Sequence, residues 1–144
     1  MKLLTTLLFV ALFSFAAIAQ EDFSGRSLDG IKSDFKSVGA VAHVKITKIS
    51  LAAKGIHSLY AVESELIETF KGKVRKTAPF MFYFDAEEGY DAQQLVGKDW
   101  VVFLEKESPT PNGGKGWYEL ENSKAPASKK LSVELRKLKN TKKA

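Results

Sequence analysis

Few side chains in this sequence could do chemistry, and their types narrow what it would be. His43 and His57 are the only imidazoles, and cysteine is absent. A metal site would therefore need both rings brought together with a carboxylate. His43 lies in an alternating run and His57 just past the turn that follows, so a hairpin would place them within reach. The plainer reading is one strand residue and one loop residue, and no metal is expected. Asp85, Glu87, Glu88 and Asp91 form an acidic loop of the kind calcium favours, but their spacing matches no EF-hand. Such loops are commonly just solvated.

Nucleophile elbow, phosphate loop and dinucleotide fingerprint are all missing. Many acids are present, yet nothing marks out two as a glycosidase pair. No catalytic residue and no cofactor are expected. The aromatic residues are the better candidates. Phe80, Phe82 and Phe84 alternate as core residues do. Trp117 and Tyr118 are adjacent, so in a strand they face opposite ways and one is left partly exposed. With Tyr60 and Tyr83 they form the candidate partner-binding set, able to stack on a sugar or grip a peptide.

The elements that would position these residues follow from periodicity. Residues 38–49 alternate, with Ala40, Ala42, Val44 and Ile46 on one face. Residues 51–57 read as a turn, and residues 58–70 as a second strand ended by Lys71-Gly72-Lys73, where Gly72 is free to take positive φ. Residues 79–85 are apolar on both faces, so both must be covered. Asp91 and Gly97 bracket a short helix with Leu95 and Val96 as anchors. Residues 99–106 make a fourth strand. Residues 108–116, with Asn112-Gly113, read as a loop, and residues 116–121 as a fifth strand. Leu28, Ile31, Phe35 and Val38 are spaced for a helix over residues 27–37, capped by Ser27. Leu131, Leu135 and Leu138 predict a C-terminal helix begun by Ser128. Alternation of Leu131, Val133 and Leu135 is the competing strand reading.

Three strands, a small helix and two strands is the element order of an OB fold. The expected fold is thus mainly β: a five-stranded OB-like barrel with an N-terminal helix, a short helix between strands 3 and 4, and a C-terminal helix. Closure would bury strands apolar on both sides and leave no sticky edge.

With 144 residues and 44% hydrophobic content, one domain is expected. Residues 1–19 read as a secretory signal peptide: Lys2, then an apolar run, then Ala17-Ile18-Ala19 as a cleavage site. Residues 20–139 would form the domain and 140–144 a frayed basic tail. The expected location is secreted or periplasmic. No transmembrane segment is expected once the signal is removed, and an exported chain without disulfides fits a bacterial envelope. Net charge is +5; residues 124–144 carry +7 and Lys2 carries +1, leaving −3 on residues 20–123. A nucleic-acid-binding barrel would hold its positive charge on the binding face, so nucleic acid is not the expected partner. The basic C-terminal helix could touch an anionic lipid, lipopolysaccharide or cell-wall surface. Leucines packed on the barrel with lysines in solvent is the favoured alternative.

Three strings together, in residues 38–49, 58–73 and 95–105, resemble the netrin-like, or tissue-inhibitor-of-metalloproteinase-like, OB domains in their exported bacterial form. The shared features are an opening strand of small and branched residues, a strand ending Lys71-Gly72, and the pattern Val96-Gly97, then Trp100-Val101-Val102-Phe103. The resemblance implies a five-stranded barrel with terminal helices. Inhibitors of that group chelate a protease zinc with an N-terminal cysteine. Here the expected mature N-terminus is Gln20-Glu21-Asp22, so that chemistry does not carry over. Fold alone does not give function. The expected function is a non-enzymatic binding domain for a protein or envelope component. An inhibitor of a secreted hydrolase acting without the cysteine is the alternative, and a small hydrolase the third.

Overall fold

A computed structural model describes Phe23 and residues 25–141. The expected signal peptide and the last three residues of the basic tail lie outside the described residues. Ser27 starts helix α1, Leu28–Ser37, by accepting a hydrogen bond from the Gly30 N–H at 3.1 Å. The stripe read from spacing is the buried one, with Ile31 and Phe35 inward. At its other end Lys71 Nζ donates to the carbonyls of Phe35 and Val38, both at 2.6 Å, as a cation at a helix C-terminus should.

The chain then makes a long antiparallel hairpin from β1, Ala40–Ala53, and β2, His57–Lys71. The turn expected over residues 51–57 is shorter than read, because Leu51 and Ala53 still pair with Tyr60 and Leu59. Next come β3, Phe80–Glu87, a single 3₁₀ turn at Ala92–Leu95 capped by the Asp91 carboxylate, and β4, Asp99–Leu104. The segment read as a loop holds β5, Ser108–Pro109, paired with β6, Lys115–Tyr118. A further two-residue strand, β7, is Ala125–Pro126, and helix α2 is Lys129–Thr141.

These strands form one mixed sheet in the order β5-β6-β3-β2-β1-β4-β7, with β3 and β6 parallel. The fold is mainly β with two helices, but the five-stranded closed barrel is replaced by seven strands in an open order. The two added strands are two residues long, too short to carry any periodicity, and each contains a proline that reads as loop. A single bridge, Leu104 to Glu119, ties β4 to the segment just after β6. Glu105 N–H to Tyr118 O and Leu120 N–H to Phe103 O, each 2.8 Å, flank that bridge. The frayed tail also begins later than expected. Asn140 and Thr141 belong to α2, where the Thr141 hydroxyl donates to Lys137 O.

Alternation sorts the side chains into two cores. One face of the sheet gathers Ala40, Ala42, Val44, Ile46, Val62, Phe80, Phe82, Phe84, Val102 and Leu104, with Trp100 and Trp117 partly buried against them. Ala92 and Leu95 of the 3₁₀ turn join this inner core. Ser64 is buried on this face, and its hydroxyl donates to Phe80 O at 2.9 Å. The opposite face presents Val41, Phe70, Val101 and Phe103 to α1 and α2, meeting Ile31, Phe35, Leu131 and Leu135. Two-sided covering is why β4 is apolar on both faces, while the outer face of β1 is apolar only at Val41.

Candidate binding groove

The segment after β6 carries the least conventional side chain in the structure. Phe82 pairs with Trp117, and Tyr83 with Tyr118. Alternation then sends Trp117 and Glu119 to the inner face and Tyr118 to the outer one. Glu119 is held there by its own backbone, whose N–H donates to Tyr83 O at 2.8 Å. A carboxylate is thereby pushed into the end of an apolar core, its side chain only 2% exposed. Asn122, at φ 53°, turns the chain, a conformation asparagine tolerates better than most residues. That turn brings Lys124 back so that its Nζ donates to Glu119 Oε1 at 2.9 Å. The same ammonium sits 4.7 Å above the centre of the Phe84 ring. Glu119 Oε2 is buried and has no hydrogen-bond partner among the described residues. Burial raises the Glu119 carboxyl above its usual range, and the charge and hydrogen bond of Lys124 only partly oppose this.

Glu119 and Lys124 line a groove of about 570 Å³. Its other walls are His57 from the start of β2, Phe84 to Glu87 from the end of β3, Tyr90, and Glu121-Asn122. Phe84 stacks on Tyr60 with ring centres 5.3 Å apart and meets Tyr90 edge-on at 6.2 Å. Beside the groove the β1–β2 hairpin tip leaves Ile56 88% exposed.

A second groove of about 520 Å³ runs along β3 and β6 and is lined by Met81, Tyr83, Trp117, Arg75 and Lys115 among others. Two of the four aromatic candidates, Tyr83 and Trp117, line it. Tyr83 stacks on Tyr118 at 5.3 Å, and the Tyr118 hydroxyl donates to Pro109 O at 2.7 Å. Burial raises the Tyr118 hydroxyl above its usual range. Tyr60 and Trp117 pack on the inner core, beside their register partners Phe84 and Phe82, while Tyr83 and Tyr118 pair with each other and face the other way.

The histidines do not share a site. His43 pairs with Glu68 far down β2 from His57, and its Nε2 lies 3.0 Å from Asp99 Oδ2. The acidic loop divides as well: Asp85 and Glu87 line the first groove, while Asp91 caps the 3₁₀ turn. On α2, Arg136 forms a two-point contact with Glu68 at 2.9 and 2.7 Å, and Lys139 donates to Thr69 O. Part of the basic helix is therefore turned back onto β2. Among the described residues no helix is long and apolar enough to cross a membrane.

Glu119, Lys124 and Tyr90 were not singled out from sequence. The available signal was a charge at an inward position, two residues after Trp117. No protein-family model matches the chain, and no curated protein is significantly similar to it, so the function rests on this geometry.

Proposed function

We propose that the chain is an exported, non-enzymatic binding domain of OB-like build, secreted or periplasmic, that recognises a protein or envelope component. The five central strands, in the order β6-β3-β2-β1-β4, support an OB-like build within the open sheet. The signal-like pattern of Lys2, an apolar run and Ala17-Ile18-Ala19 supports export. The reading is carried by the groove that ends at Glu119, where a buried carboxylate keeps one oxygen unmatched inside the protein. Buried acceptors are normally paired, so such an atom at a groove points to an outside donor. Tyr90 and Ile56 offer apolar contact at the same end of the molecule. In this reading α2 is structural, its leucines packed on the sheet.

Affinity capture from an envelope extract tests the proposal. The processed protein should retain a specific partner that Ile56→Asp and Tyr90→Ala lose. Both positions are exposed, so both variants should fold, with a small loss of stability from the Tyr90–Phe84 edge contact. Capture unchanged in both variants would remove the groove from the reading. No specific partner at all would remove the binding function.

A further inference from the structure

The groove at Glu119 also carries a statement about the chemistry of its ligand. Four carboxyl side chains line it, Asp85, Glu87, Glu119 and Glu121, against one lysine and one histidine. Acidic residues alone would say little. The second observation is Glu119 Oε2, buried, facing no donor, and belonging to a side chain only 2% exposed. A ligand satisfying this oxygen must bring a donor, and the surrounding charge favours a positive one.

Lys124 shows what such a donor does here. Its ammonium takes the other oxygen of the same carboxylate and lies over the face of Phe84. Carboxylate and ring together form a cation seat, in which the ring's negative face adds to the ion pair. One oxygen of that carboxylate is taken by the chain itself, and the other is left for a second cation. Among the described residues no cluster of three or more His, Cys, Asp or Glu could hold a metal ion, which turns the choice from a metal to an organic cation. The rim carboxylates at Asp85, Glu87 and Glu121 are exposed, and they would steer and screen a positive group entering from solvent.

We propose that this groove binds an alkylammonium group, the basic side chain of a partner polypeptide, with Glu119 Oε2 as its buried acceptor and the rim carboxylates as its outer shell. The proposal rests on the binding reading above and names the chemistry recognised.

The test is an NMR titration of the purified protein with Nα-acetyl-lysine methylamide. Nα-acetyl-norleucine methylamide serves as the neutral probe of similar shape, and calcium alone as a metal probe. The lysine derivative should give saturable shifts at His57, residues 84–90 and residues 119–124, weakened by salt. The neutral probe and calcium should not. Glu119→Gln should weaken binding by about tenfold or more, since it replaces a charged acceptor. Should Glu119→Gln fail to unfold cooperatively, Asp85→Asn and Glu121→Gln, both at exposed rim positions, should each weaken binding severalfold. Equal binding of the lysine and norleucine probes, binding of calcium instead, or full affinity in both rim variants would each overturn the proposal. Capture of an envelope partner with no lysine binding would overturn it too, while leaving the binding reading standing. Failure of capture as well would take both.

Discussion

Glu119 and Lys124 place unequal demands on the protein. Glu119 is almost fully buried, whereas the Lys124 side chain is 17% exposed and can keep some water. Removing the cation should therefore hurt more than neutralising the acid. Lys124→Met leaves a buried carboxylate uncompensated and should cost about 3–5 kcal/mol at neutral pH. Glu119→Gln keeps an oxygen for Lys124 and should cost clearly less. Urea unfolding of both variants checks this, and equal costs would mean that the two charges are equally solvated. Gly72 makes a second residue-level case. It adopts φ +85°, and a Cβ there would stand 2.4 Å from Gly39 O. Gly89 has the same φ with nothing within 4 Å. Gly89→Ala should cost only the left-handed strain of about 1–2 kcal/mol, and Gly72→Ala distinctly more. Similar midpoint shifts would show that the backbone at Gly39 gives way freely. The positive φ at Gly72 was legible in Lys-Gly-Lys after a strand, but the carbonyl packed against it was not.

Among the elements, α2 answers the ambiguity that its sequence posed. Leu131 and Leu135 are buried in the outer core, whereas Val133 is among the exposed large hydrophobics. That is helical spacing, and the alternating strand reading would have buried all three. Leu131→Ala should cost about 2–5 kcal/mol as a core truncation, while Val133→Ser should stay within about 0.5 kcal/mol. Thermal or urea unfolding decides it, and a large loss at Val133 would mean that another surface covers it. The long runs β1 to β4 and the helix α1 were readable because each carries six or more side chains' worth of period. The two-residue strands β5 and β7 have none, and depend wholly on what lies beside them.

For the whole molecule, pH reads out the buried carboxyl. Burial raises Glu119, so the folded protein holds that proton at pH values where the unfolded chain has released it. Its stabilising contribution is present below the ordinary carboxyl pKa of about 4.3 and is lost as pH rises through the raised value. Glu68 runs the other way, lowered by its hydrogen bond to Arg136, so its contribution is lost as pH falls through the lowered value. That pair is on the surface and should matter little. The urea midpoint of the wild-type protein should therefore fall as pH rises above the ordinary carboxyl range, and Glu119→Gln should flatten that fall. Parallel curves for the two proteins would assign the dependence to other groups.

From the sequence alone came the mainly β character, the two terminal helices and their buried stripes, and the core role of Phe80, Phe82 and Phe84. All of these rest on local period or composition, which a chain carries before it folds. Tertiary structure decided the seven-strand order, the separation of Tyr60 from Tyr83 and Tyr118, and the groove built around Glu119 and Lys124. A strand's alternation says that Glu119 shares a face with Trp117, but not that the face is the buried one or that no donor waits there. Burial and pairing are set by residues far apart in the chain, and only folding brings them together.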